Sequence, residues 1–392
     1  MEAVRAVPGI EVLAGREARL VRGRRVALLA HAASVSRELV PAWRLLEAAG
    51  ARIESVLAPE HGLFGEAQDM EAVEAGTIRI GGREVPLRSL YGSDAASLAP
   101  KAEDLAGAEV LVVDLADVGA RYYTFAATAD IAARSCLEAG IDVIVADRPN
   151  PLGGAIHEGG PGIGAAYRSF VGHFDVPQRH ALTLGELVRG GADRDGMRVV
   201  PAEGWSRDED HERAGLPWVA PSPNIPCPET ALVYPGACLV EGTNLSEGRG
   251  TTRPFETVGA PFIDGEDLAR LIEPLGLAGA LLRPVRFRPT FHKHSGVVCS
   301  GVFVHVTDRE RFRPLRTYLA ILWAAARLSG ERMCWRSDAY EFRDDVPAID
   351  LLWGGPRLRE AIDSGGAAAD VMALPDAAER EWIDRRDGFH LY

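Results

Sequence analysis

From residue 25 onward, short apolar runs alternate with longer stretches whose apolar residues recur at helical spacing. RVALLA (25–30) reads as a strand, residues 39–49 as a helix that Gly50 is placed to end, and RIESVLA (52–58) as the next strand. Further strands are expected at 85–91, 109–116 and 141–147, with a helix over about 126–139 between the last two. Apolar strands separated by helices build a parallel sheet covered by those helices. The predicted fold class is α/β, a Rossmann-like, doubly wound, mostly parallel sheet.

The pattern changes after residue 155. A loop-rich stretch leads to a helix near Thr183, whose hydroxyl and Glu186 three positions later match a capping box, and then to a strand at 197–202. Residues 217–235 are dense in proline, and 241–256 form a polar, glycine-rich run; both are expected to wall a cleft. Beyond Pro261 come a helix at 265–275, strands near 281–288 and 297–306, a helix over about 314–328 and further helical pieces. This part reads as a smaller α+β domain. The 392 residues thus divide into a catalytic Rossmann-like domain, 1–258, and a C-terminal domain, 259–392, that completes the cleft.

Composition narrows the function classes. With 47% hydrophobic and 25% charged residues the chain can bury substantial cores. Its 43 Lys and Arg against 56 Asp and Glu leave a net charge of −13, which opposes attraction to nucleic acid. Neither an apolar run long enough to insert in a membrane nor a recognisable export signal is present, so a cytoplasmic protein is expected. The five cysteines are widely spaced and lack a C-x-x-C pair, as suits reduced thiols.

In open parallel sheets, ligands gather beyond the carboxyl ends of the strands. There this chain places APEHGLFGEAQD (58–69), DLADVGARYYTF (114–125) and DRPNPLGG (147–154), all rich in carboxylate, Arg, His and Gly. Glu60, beside His61, follows an apolar strand, where burial would penalise its charged form and favour a general acid; loop amides or an arginine are its alternative partners. Asp117 is placed to assist at a sugar carbon, and Arg121, near Tyr123, to grip a carboxylate by two parallel hydrogen bonds. An Asp–Arg pair that merely fastens the loop explains the same spacing equally well. Asn150 offers a donor and an acceptor to a neutral ligand, although Asn, Pro and Gly also build sharp turns. Asn244, Ser246, Glu247, Arg249 and Arg253, with Glu241, crowd one loop in a pattern suited to a polyhydroxylated, partly anionic ligand.

Several alternative signatures are missing. The turn after the first strand, HAASVS (31–36), lacks G-x-G-x-x-G, and neither G-x-S-x-G nor H-E-x-x-H occurs. His292 and His294 have no third ligand nearby in sequence, so neither a metal nor a cofactor is expected.

Taken together, PEHGLFGEAQD, DVGARYYTF, DRPNPLGG, YPGACLVEGTNLSEGRGTTRPFE (234–256) and FHKHSGVVCSGVFVHVTD (291–308) resemble the exo-β-N-acetylmuramidase family of the NamZ type. The resemblance runs from about Gly9 to the last two residues. It implies a glycoside hydrolase that releases N-acetylmuramic acid from the non-reducing end of peptidoglycan fragments, with a small-molecule disaccharide or muropeptide as partner. It marks Glu60 as the catalytic candidate. In that setting Asp117 would orient the substrate's 2-acetamido group, and Arg121, Arg249 or Arg253 would hold its lactyl carboxylate. Where relatives carry a Thr-Asn pair after the first strand, this chain has Ala30-His31. A non-catalytic muropeptide-binding module and a sugar-nucleotide-dependent transferase are the competing readings.

Overall fold

The computed structural model describes residues 5–105, 107–190 and 194–392. Its larger sheet has seven strands: β1 (Arg25–Ala30), β2 (Arg52–Ala58), β3 (Gly76–Ile80), β4 (Arg83–Ser89), β5 (Val110–Asp114), β6 (Asp142–Ala146) and β7 (Met197–Val200). They lie in the order β3-β4-β2-β1-β5-β6-β7, and every pairing is parallel except β3 with β4. β1 and β5 are buried almost throughout, as strands covered on both faces must be. The chain turns outward from β1 to β2 on one side and from β5 to β6 on the other, which opens a crevice at their carboxyl ends.

Three local outcomes differ from the expected pattern. The helix expected from residue 39 is Ala42–Ala48, because Leu39 takes a positive φ of 61° and Pro41 stands at the N-cap. The strand expected at 85–91 is β4, and it is preceded by β3, which the hydrophobic pattern hid because this edge strand is largely exposed. Gly81 and Gly82, with φ of 54° and 80°, form the two-residue hairpin turn between them. Finally, the proline-dense stretch contains a helix, Pro228–Ala237. Pro228 occupies its first turn, where the missing N–H costs nothing, and Pro235 falls in its last turn.

Beyond this helix lies a three-stranded antiparallel sheet in the order β8-β10-β9, formed by β8 (Thr257–Ala260), β9 (Ala280–Phe287) and β10 (Cys299–Val306). The boundary expected at residue 258 therefore falls inside β8. The apolar helix Pro314–Ser329 packs against both Gly265–Ile272 and Pro228–Ala237. At the latter contact a Cβ on Gly236 would lie 2.1 Å from the Pro314 carbonyl oxygen, so only glycine permits the approach. One hydrophobic core runs from Leu29 and Val113 of the large sheet through Leu239 to Tyr318 and Leu351, joining the two sheets' surroundings continuously. A second core, around Val26, Leu46 and Ile53, fills the opposite face of the large sheet. Among the described residues no helix is long and apolar enough to cross a membrane.

Candidate active site

The buried strand β2 delivers Pro59-Glu60-His61-Gly62 to the crevice, and positive φ at His61 (72°) and Gly62 (79°) turns the chain back on itself. His61 closes the loop by pairing its Nδ1 with the Ala67 carbonyl at 3.0 Å. Glu60 is buried, and both its oxygens accept from neutral donors: Oε2 from the Thr124 hydroxyl at 2.8 Å, Oε1 from the Met70 amide at 3.2 Å. Thr124 stands at the N-cap of the helix Phe125–Glu138 after β5, so two strand-end loops converge on one carboxyl group.

A second carboxyl group enters the same cleft from the C-terminal part of the chain. Glu341 is buried and its Oε2 accepts from the Tyr91 hydroxyl at 3.1 Å. Glu341 and Phe342 are both left-handed, with φ of 47° and 64°, a conformation that costs non-glycine residues of order 1–3 kcal/mol each. The pair is held by reciprocal backbone bonds between Tyr340 and Arg343 at 2.8 and 3.0 Å. The Phe342 ring also packs on Tyr91 at 5.2 Å. Burial, reinforced by the charge of Glu60, pushes the Glu341 carboxyl well above the ordinary glutamate range.

Beside these two lies a dense charge network. Arg249 meets Glu241 at 2.8 Å, Asp69 at 2.9 Å and Glu247 at 3.2 Å. Glu247 also contacts Lys293 at 2.9 Å and His292 at 3.1 Å, and Tyr340 donates its hydroxyl to Glu241 at 2.7 Å. Burial opposes the charge of Glu247, yet Lys293, His292 and Arg249 hold its carboxyl far below the usual range. Burial likewise works against Arg249, but its three carboxylates outweigh it and raise its pKa.

The cleft, about 420 Å³ including its mouth, brings together five of the expected residues: Glu60, His61, Tyr123, Glu241 and Arg249. The other expected residues sit elsewhere. Asp117 accepts from the Gly119 amide at 2.9 Å and lies 3.2 Å from His180, lining an adjacent pocket walled by prolines and Trp218. Arg121 is buried and donates to the carbonyls of Leu352 at 2.6 Å, Trp353 at 3.0 Å and Val176 at 3.2 Å, which fastens the end of the helix Ala348–Trp353. Asn150 bridges the Leu182 carbonyl and the Leu152 amide at 2.8 and 2.9 Å. Asn244 bonds Arg332 and Cys334 of the C-terminal part at 2.9 and 3.0 Å, and Ser246 accepts from the Gly248 amide at 3.1 Å. Glu247 backs the cleft through Arg249, whereas the Arg253 side chain is about half exposed beside Glu256. Arg148 clamps Asp114 at 2.6 and 2.9 Å, and Asp147 caps the helix Leu184–Arg189 through Thr183 and Gly185.

Several cleft residues were not singled out by sequence reasoning: Asp69, Thr124, Asn224, Tyr234 and, above all, Glu341. Asp69 lay inside the block that pointed to Glu60. Glu341 carried no comparable signal, because its segment, YEFRDD (340–345), has neither an apolar strand before it nor a turn pattern to mark a strand end. Among the described residues, no group of three or more His, Cys, Asp or Glu side chains is arranged to hold a metal ion. What the cleft offers is proton chemistry: two buried carboxyl groups free of cations, with hydroxyl and amide donors on its walls, a set suited to cleaving an acetal.

Comparison with known proteins agrees with that chemistry. The family models "Exo-beta-N-acetylmuramidase NamZ, N-terminal" and its C-terminal counterpart match residues 26–229 and 232–392. The chain is 35% identical over 390 residues to the peptidoglycan β-N-acetylmuramidase NamZ of Bacillus subtilis (strain 168), covering 98% of this chain and 91% of that protein. Crystal structures of two DUF1343-family proteins from Bacteroides fragilis NCTC 9343 superpose with TM-scores of 0.87 and 0.73 at 28% and 25% identity, each covering 99% of both chains. The chain belongs to the exo-β-N-acetylmuramidase NamZ family, a family of glycosidases.

Proposed function

We propose that this enzyme releases N-acetylmuramic acid from the non-reducing end of peptidoglycan-derived fragments, with Glu60 as the general acid. Support for the substrate comes from the Bacillus subtilis relative, which is named for its action on peptidoglycan. The observation that carries the role of Glu60 is its setting: a buried carboxyl at a strand-end cleft whose oxygens meet only a hydroxyl and an amide, with no ion pair to an arginine or lysine among the described residues. Protonation of the bridging oxygen by such a group lets the sugar leave as an oxocarbenium-like centre.

Among the described residues lining the cleft, Arg249 is the one cation, and it already faces three carboxylates. The lactyl carboxylate and the acetamido group would therefore be read by neutral donors on the cleft wall, the Tyr123 and Ser222 hydroxyls and the Asn224 amide. With a cytoplasmic location, as expected from the sequence, the substrate is an imported disaccharide or muropeptide met in cell-wall recycling. The decisive measurement is turnover of an aryl N-acetylmuraminide. Glu60→Gln keeps the shape and removes the acid, so a loss of about a hundredfold or more is expected; near-normal turnover would overturn the assignment.

A further inference from the structure

The cleft of a glycosidase needs a second group at the anomeric carbon, and the sequence pointed to Asp117 for that place. Asp117 lies in the adjacent pocket, bound to Gly119 and His180. We propose that Glu341, buried in the same cleft as Glu60 and carried there by a turn in which Glu341 and Phe342 are left-handed, is the second catalytic carboxyl of the reaction. This rests on the reading of Glu60 as the acid.

The step balances as follows. The Glu60 O–H gives its proton to the bridging oxygen as the C1–O bond breaks, with the bonding electron pair leaving on that oxygen. The group that forms the new bond to C1 releases a proton, whether from water or from the substrate's own acetamido N–H, and ionised Glu341 takes it. One proton is donated, one is received, and exchange with solvent resets the pair.

Three independent features support the placement. One oxygen of Glu341 is oriented by the Tyr91 hydroxyl at 3.1 Å, while no described donor holds the other. The backbone at Glu341 and Phe342 is left-handed, a conformation that bulky non-glycine residues rarely adopt, and such strain gathers at functional sites. The charged and titratable groups facing Glu341 from the surrounding elements are Glu60 and Asp69 of the loop after β2, Tyr91 after β4, and Glu241 of the turn after Pro228–Ala237. These groups oppose its ionisation, with the Tyr91 hydrogen bond as the exception, and a carboxylate made reluctant to lose its proton is a stronger base than free glutamate.

The test is the pH profile of kcat/KM for an aryl N-acetylmuraminide with Glu341→Gln and Tyr91→Phe. Glu341→Gln is expected to lower kcat by about a hundredfold or more. It should also abolish the acidic limb of the profile, with disaccharide binding in calorimetry retained as evidence of an intact cleft. Tyr91→Phe removes a hydrogen bond that favours the ionised form, so the acidic limb should move to higher pH. Turnover of Glu341→Gln within about threefold of the parent, or an unmoved limb in Tyr91→Phe, overturns the proposal. Failure here is distinct from failure of the Glu60 reading: an inactive Glu60→Gln beside an active Glu341→Gln removes only Glu341 from the mechanism.

Discussion

Two groups of carboxylates stand side by side in this molecule and have opposite fates. Glu60 and Glu341 are buried, have no ion pair among the described residues, and meet only hydroxyls and an amide. Glu241 and Glu247 are just as buried and Asp69 is half-buried, yet all three converge on Arg249, and Glu247 has Lys293 and His292 as well. Burial pushes Glu341 up; the same burial fails to lift Glu247, because its partners prevail. The first group meets only hydroxyl and amide donors, and the second ties its loops together through ion pairs. Density of charge along a loop therefore says little about chemistry until each charge's partner is known.

That contrast can be broken most severely at Arg249. Arg249→Met leaves three carboxylates around an uncharged side chain, and removing one partner of a buried network of this sort costs about 3–5 kcal/mol. Thermal melting should show the loss, with Arg249→Lys intermediate because it keeps the charge but not the fork. A melting temperature unchanged in Arg249→Met would mean the network is not structural.

Glu247→Gln sharpens the comparison by a smaller amount. The folded-state pKa of Glu247 is depressed, so its stabilisation is present above the unfolded-state value, about 4.3, and is lost as the pH falls below it. At pH 7 the substitution should cost about 1–3 kcal/mol, and the gap to the parent in urea melts should narrow on acidification. A gap that widens instead would contradict the assignment of Glu247 as an ionised tether. The smallest effect is expected at Arg253, whose half-exposed guanidinium reaches the buried Glu256 only at 3.4 Å. Arg253→Ala should cost about 1 kcal/mol or less and leave KM unchanged; a severalfold rise in KM would show that it reaches the substrate.

The hydrophobic pattern located β1 and β2 at the residues where they occur, because an interior parallel strand must be apolar on both faces. It missed β3, an exposed hairpin edge, and the helix Pro228–Ala237, whose prolines imitate a loop but fall where a helix tolerates them. The Thr183 capping box was legible because both its partners are local in sequence. Of the site, Glu60, His61, Tyr123, Glu241 and Arg249 were legible as strand-end or loop residues in charged surroundings. Arg121 and Asn150 looked similar and instead satisfy backbone carbonyls.

By itself, then, the order of apolar and polar residues determined the parallel sheet, its crevice and the loop that presents Glu60, since strand burial and turn chemistry depend on neighbours a few positions away. Only the tertiary structure decided which charges would be paired and which left without a counter-ion. Whether a carboxyl group keeps a proton depends on burial and on ions brought near from distant segments, as Tyr340-Glu341-Phe342 is brought to β2, and no local pattern records those distances.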